Sequence, residues 1–412
     1  MTLVINNRDA CALRQHLQPL RPCNRKIETL RRVLEKNPSF QKESSPLPEL
    51  DKLFTITKSR LSVCGVEIAS SNHGIYIKNA SLGSGNTSFV ELVQRVDKET
   101  GEVREFAELS SQNSSVLERC IEIKAVLEKS TSVDFMKHLA LPLKSIYDEN
   151  NRVQSIRLCL QGEDLSKKNT YDSPLHYFSS ELASAAKGLA ILHEAGIVHG
   201  DIKLDNILSS KGEEPAKLAD FGFSRINPEP NSKIDGASAC FAPEVYASIE
   251  DMVEGKGTVN AKTDIYSWGL MMRELLMQKL LPQVIGLSQC RTQRLFSKNI
   301  DQNKRAEYGR IYYLPKSKSF NGFAKDEDYR TLFEKALYKS TISDETRDAL
   351  KQFIDYAFTC TSLDPNDRPS AKALSHFLSE FSEQVHDLEK QEQLSLPSFS
   401  NEANEAILES YP

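Results

Sequence analysis

His199-Gly200-Asp201-Ile202-Lys203-Leu204-Asp205-Asn206, followed by Asp220-Phe221-Gly222, decides the reading of this chain. Moving a phosphoryl group onto a hydroxyl needs a carboxylate to take the proton and oxygen donors to hold a divalent metal. It also needs a cation to offset the charge of the migrating group. Asp201 can be that base, Asn206 and Asp220 the metal donors, and Lys203 the cation. Each half of the pattern alone is a moderate signal. In this order, with the partners that follow, the two point to phosphoryl transfer.

The pair resembles the catalytic and metal-binding loops of protein kinases, whose first motif usually reads His-Arg-Asp. Ala242-Pro243-Glu244 is similar to the end of that family's activation segment. Asp264-Ile265-Tyr266-Ser267-Trp268-Gly269 is similar to the start of its central buried helix, and Asp367-Arg368-Pro369-Ser370 to the late motif whose Arg pairs with that Glu. The likeness covers about residues 75–383. Lys203, two residues after the base, is the choice of the Ser/Thr-directed branch. The resemblance implies an α+β, bilobal fold, with a small sheet-rich N-lobe over 75–160 and a larger helical C-lobe over 161–383. A partly helical extension over 1–70 precedes them, and a polar tail over 384–412, loosely ordered apart from a short helix, follows. It also implies ATP and Mg as cofactors and a protein substrate.

The residue patterns fit that order. Ile75–Ile77, Phe89–Val96 and Val103–Ala107 read as strands, and Val116–Lys129 as a helix. Two more strands are expected around Ala140-Leu141 and over Ser155–Leu160, with a hinge at Gln161–Leu165. Leu182, Ala185, Ala186, Leu189 and Leu192 form a helical apolar stripe leading into the catalytic loop, and a helix is expected over Asp344–Phe358. In the extension, Asn24 can cap a helix with Ile27, Leu30, Val33 and Leu34 on one face and a basic opposite face, which reads foremost as solvated surface.

Leu82-Gly83-Ser84-Gly85-Asn86-Thr87-Ser88-Phe89-Val90 resembles the kinase Gly-rich loop, in which bare backbone approaches the phosphates. Gly83, Ser84 and Gly85 are therefore candidate nucleotide contacts, although a lone Gly-x-Gly also makes an ordinary hairpin turn. The family's third-strand lysine is missing: Phe106-Ala107-Glu108-Leu109 puts a leucine in its place. Glu122 best matches the helix glutamate that pairs with that lysine, with Glu128 second. Counting back from Glu122 by the family's spacing lands nearer Arg104, which becomes the candidate substitute cation, with Lys78 and Arg95 as alternatives. The bland alternative is that the charge is simply lost. Asp164, at the hinge, completes the expected nucleotide contacts.

Gly200 replaces the arginine that normally receives an activation-loop phosphate, so activity independent of such phosphorylation is expected. Ala237 lacks the hydroxyl that usually contacts the base, and Ser238 is the available substitute. His199 reads as a packing residue beside Phe221, Asp264 as a holder of the catalytic-loop backbone, and Glu244 with Arg368 as a buried ion pair. Arg291 to Lys318 carries a basic excess, by default a solvated surface and otherwise a dock for an acidic partner.

The 412 residues exceed one ordinary core, so more than one compact unit is expected. Hydrophobic residues make up 39% and charged ones 26%, ordinary for a globular protein. A net charge of -5 argues against a nucleic-acid partner, and no apolar run reaches membrane-span length. The eight cysteines are scattered, with no Cys-x-x-Cys, and no secretory leader is visible at Met1–Arg8. These features suggest reduced thiols in the cytoplasm, or in a host cytosol if the chain is an exported effector. Two other functions remain open: a non-enzymatic pseudokinase scaffold, supported by Leu109 and Ala237, and a small-molecule phosphotransferase, whose families also write His-Gly-Asp.

Overall fold

A computed structural model describes residues 67–70, 74–84, 88–97, 103–148, 150–168, 174–230, 232–233, 242, 244–245, 256–280, 330, 334, 337–338 and 342–392. The expected N-terminal helix, the basic 291–318 segment, Gly85, Ala237 and Ser238 lie outside the described residues. The chain divides into two compact units, one of residues 1–121 with 141–160, the other of 122–140 with 161–412.

The first unit is built on an antiparallel sheet. Its strands are β1 (Glu67–Ser70), β2 (Gly74–Ser84), β3 (Ser88–Asp97), β4 (Val103–Ser111), β5 (Lys144–Tyr147) and β6 (Val153–Cys159), in the order β1-β2-β3-β4-β6-β5. The ladder between β3 and β4 sets Val90 opposite Leu109, Leu92 opposite Ala107, and Val93 opposite Phe106. β1 was not anticipated. It pairs Ile68 with Ile77 and Ala69 with Tyr76, extending the sheet at its outer edge. The strand expected at Ala140-Leu141 instead begins at Lys144. Pro142 has no N–H to give a ladder, and the preceding stretch is already committed, since Ala140 N–H donates to Leu218 O at 2.9 Å.

Helix α1 (Ser114–Ser130) follows β4, and the division of the chain falls within it, after Ile121. Its buried positions, Leu117, Cys120, Ile123 and Leu127, recur at helical spacing.

The second unit is mostly helical, with α2 (Pro174–Glu194), α3 (Ala261–Leu275), α4 (Asp344–Cys360) and α5 (Ala371–Glu392). The α2 stripe predicted from sequence is fully buried at all five positions, Leu182, Ala185, Ala186, Leu189 and Leu192. Burying one such leucine stabilises by about 1.5–3 kcal/mol, so the stripe fixes which way α2 faces. α3 starts at a capping box, with Asn260 accepting from Lys262 N–H at 2.8 Å while Thr263 Oγ1 accepts from Asn260 N–H at 3.2 Å. α4 and α5 meet through aromatic rings, Tyr356 stacked on Phe377 with centroids 3.8 Å apart.

α5 runs to Glu392, well into the stretch expected to be a loose tail. The polar composition of that stretch hid two inward positions, Val385 and Glu389, both buried. Glu389 accepts from Leu175 N–H at 2.8 Å and His176 N–H at 3.1 Å, so it caps the start of α2 from the far end of the chain. Among the described residues no helix is long and apolar enough to cross a membrane, and Cys120, Cys159 and Cys360 are in no disulfide.

Candidate active site

α2 ends at Glu194, and the short strand β7 (Ile197–Val198) delivers the chain to His199. The loop from His199 to Asn206 then closes into a 3-10 turn at Leu204–Asn206, and strands β8 (Ile207–Leu208) and β9 (Lys217–Leu218) lead on to Asp220. Four of the predicted residues, Asp201, Lys203, Asn206 and Asp220, therefore come together within the helical unit.

Asp201 is buried at 6% exposure. Its Oδ2 accepts from Lys203 Nζ at 2.8 Å and from Asn206 Nδ2 at 2.9 Å. Asn206 Nδ2 also donates to Asp201 O at 2.7 Å. A buried carboxylate without such donors would cost several kcal/mol, so these bonds are what permit it there. Burial works against the Lys203 charge, but the bond and charge of Asp201, with Asp220 and Asp205 behind, outweigh it and hold the ammonium above its ordinary range.

His199 is a structural hub. Its ring lies edge-on to Phe221, with centroids 5.4 Å apart. Nε2 faces Ala219 O at 3.0 Å and must donate to it; Nδ1 is then the acceptor for Asp201 N–H at 3.2 Å. Ser224 Oγ donates to His199 O at 3.0 Å. The ring and backbone of one residue thus fasten the base loop to the segment carrying Asp220. Asp264, at the start of α3, accepts from His199 N–H at 2.8 Å and Gly200 N–H at 2.9 Å. It is the backbone holder its motif suggested.

Sequence reasoning missed His193, whose Nε2 bonds Asp264 Oδ2 at 2.8 Å, and Ser224. Their only signal was polarity where the flanking pattern is apolar. It also missed why position 200 is glycine. Gly200 has φ +78°, and a Cβ there would meet Phe223 O at 2.8 Å. Backbone shape and neighbouring carbonyl together exclude any larger residue without rearrangement.

Asp220 sits at φ +62°, uncommon for a side chain and found where surrounding structure holds it. Its carboxylate is exposed, with Oδ1 accepting Gly222 N–H at 3.2 Å. Both amide hydrogens of Asn206 go to Asp201, which leaves its side-chain oxygen as the donor atom available to a cation. One carboxylate and one amide oxygen suit magnesium, a hard ion that keeps several waters and takes few protein ligands. Among the described residues no cluster of three His, Cys, Asp or Glu is arranged to hold a metal.

Gly83 stands near the tip of the β2–β3 hairpin, and a Cβ built there would meet nothing within 4 Å. Among the described residues no contact demands glycine at that point. Ser84 pairs with Phe89 across the hairpin. Arg104 is exposed on β4 opposite Arg95. It is an odd number of residues from Leu109, so the two project from opposite faces of the sheet. In the observed register Arg104 therefore stands away from the lysine's place. Glu122 and Glu128 are exposed on α1, the latter 3.6 Å from Lys124. Asp164 is tied to its own turn, accepting from Lys167 Nζ at 2.7 Å and from Ser166 Oγ. Burial opposes its charge, yet these bonds hold its carboxyl below the usual range.

The protein kinase domain family matches residues 76–378, most of the chain. This chain belongs to the protein kinase family. Its relatives include the probable serine/threonine-protein kinase kinX of Dictyostelium discoideum, 26% identical over 62% of this chain and 20% of that protein. The serine/threonine-protein kinase BCK1/SLK1/SSP31 of Saccharomyces cerevisiae is 28% identical over 50% of this chain and 14% of its own length. BIK1, a serine/threonine-protein kinase of Arabidopsis thaliana, is 29% identical over 36% of this chain and 40% of its own. The matches thus span well under half the length of these relatives.

Glu244 and Arg368 form the expected ion pair. Nη1 lies 2.5 Å from Oε1 and Nη2 2.9 Å from Oε2, with Arg368 fully buried over the ring of Tyr266. Two-point pairing of this kind fixes direction as well as distance.

Proposed function

We propose that the chain transfers the γ-phosphoryl group of ATP, with magnesium, to a Ser or Thr hydroxyl of a protein substrate in the cytoplasm. The observation that carries this reading is the Asp201 carboxylate, buried yet held on one oxygen by Lys203 and Asn206. Among the described residues both bonds go to Oδ2, and Oδ1 is the oxygen left for an acceptor hydroxyl. Asp201 would take the hydroxyl proton as the oxygen bonds phosphorus and ADP leaves. Lys203 would offset the charge of the moving group. Asn206 and Asp220 would hold the magnesium, whose chemistry is to neutralise the phosphate oxygens. Gly83 and Gly85 would cover those phosphates with bare backbone.

A second reading, a scaffold that binds without turnover, draws support from Leu109. The two are separated by phosphate transfer from labelled ATP to a generic protein acceptor, comparing wild type with Asp201→Ala. Transfer by wild type and its loss in the variant supports the kinase. Transfer that survives in Asp201→Ala removes Asp201 as base, and nucleotide binding with no transfer by either protein favours the scaffold.

A further inference from the structure

The strand register sorts the charges of the sheet onto its two faces. Successive residues of a strand point to opposite faces, and partners across a ladder share one. Val90, Leu109 and Ile156 form one row across β3, β4 and β6, and Leu92, Ala107 and Leu158 the next. Contacts confirm this face at its ends, with Gln94 Nε2 donating to Glu105 at 3.1 Å and Ser88 Oγ to Ser111 Oγ at 3.1 Å. The opposite face carries Arg95 facing Arg104, and Glu108 facing Arg157, which in turn faces Lys144. There Arg157 Nε donates to Glu108 at 2.9 Å, as does Ser155 Oγ. The backbone register also sets Lys78 opposite Val93, in a row of this second face.

So every Arg and Lys of β3 to β6 stands on the face away from Leu109. On Leu109's own face the described charged side chain of these strands is Glu105, an acid. Leu109 occupies the position where the family resemblance puts the phosphate-holding lysine, which makes its face the nucleotide's.

We infer that this sheet offers the nucleotide an apolar surface for its flat base and no positive charge for its phosphates. Without a divalent ion, and with Lys203 held by Asp201, the chain then binds a nucleoside as tightly as its triphosphate. This rests on the phosphotransfer reading above and sharpens it. The missing lysine is not replaced from a neighbouring strand, and with Lys203 held by Asp201 before the reaction, the phosphates gain most of their affinity through the metal.

The test is calorimetric binding of adenosine, ADP and ATP to the full chain, in EDTA and then in magnesium. In EDTA the three should agree within about threefold, and magnesium should tighten ATP while leaving adenosine unchanged. Leu109→Lys should tighten metal-free ATP about tenfold and adenosine less than about twofold. Leu109→Arg, which places a similar charge with a different shape, is the second variant should the first not fold. Metal-free ATP binding wild type tenfold or more tighter than adenosine would mean that another cation reaches the phosphates, and the inference falls while the kinase reading stands. A folded Leu109→Lys or Leu109→Arg with no gain for ATP would show that this face is not the nucleotide's. Failure of every ligand to bind, with or without magnesium, would overturn the phosphotransfer reading itself.

Discussion

Replacing Glu244 with Gln keeps the shape of the Glu244–Arg368 contact and removes its charge. Arg368 is wholly buried, donating to Glu244 through two nitrogens and to Ser362 O at 2.8 Å and Lys262 O at 3.0 Å. Two carbonyls and the Gln amide oxygen remain to it in the variant, but no counter-charge. Stranding a buried charge in this way costs about 3–5 kcal/mol. The Glu244 side chain is 26% exposed, so water reaches the contact and the lower end, about 3 kcal/mol, is expected. For a unit of this size that lowers Tm by roughly 6–12 °C. Thermal unfolding of wild type, Glu244→Gln, Arg368→Met and the double variant provides both the cost and the coupling. The double variant should be more stable than the sum of the single losses, because it leaves no charge stranded. A Glu244→Gln cost under about 0.5 kcal/mol, or simple additivity, would refute the argument.

Gly200→Ala should destabilise by about 1–3 kcal/mol, because the added Cβ meets Phe223 O at a positive φ. Denaturant unfolding checks this, and Gly200→Arg should fare no better, so the usual arginine cannot simply be restored. Burial raises the Glu181 carboxyl pKa, against the bonds from Ser210 that lower it, including Ser210 N–H at 2.7 Å. Its folded form therefore binds a proton that the unfolded chain releases. The associated stability is full below the unfolded value, about 4.5, and is lost as pH rises through the raised folded value. The Tm of Glu181→Gln relative to wild type should accordingly rise between pH 5 and pH 8; a constant difference would count against it. Glu389→Ala should cost about 1–2 kcal/mol, the value of a helix cap. It should speed deuterium uptake at Leu175 and His176 more than elsewhere in α2, and uniform uptake would deny the cap.

Much of the helical unit was legible because its signals are local or strictly periodic. The α2 stripe announced its buried face, and the spacing from Asp201 to Asn206 made their hydrogen bonds almost a matter of chain geometry. The sheet was legible as strands but not as faces. Counting spacing from Glu122 led to Arg104, and only the β4 ladder shows that an odd offset turns it to the other side. His193 and Glu389 were illegible for another reason. Each acts on a backbone or carboxylate far away in sequence, 71 residues for His193 and 214 for Glu389, and nothing in its own neighbourhood marks that partner. Gly200 read as a lost regulatory arginine, whereas its φ, and Phe223 O lying where a Cβ would need room, give it a local steric reason.

The cap that Glu389 places on α2 also sets an order of events during synthesis. α2 carries the catalytic loop, yet the carboxylate that satisfies its first amides emerges from the ribosome more than two hundred residues later. Until then the amides of Leu175 and His176 have only water or a passing partner. The start of α2 is therefore fastened only once translation has passed the last turns of α5, and a chain cut short before Glu389 leaves the helix behind its base loop unfastened.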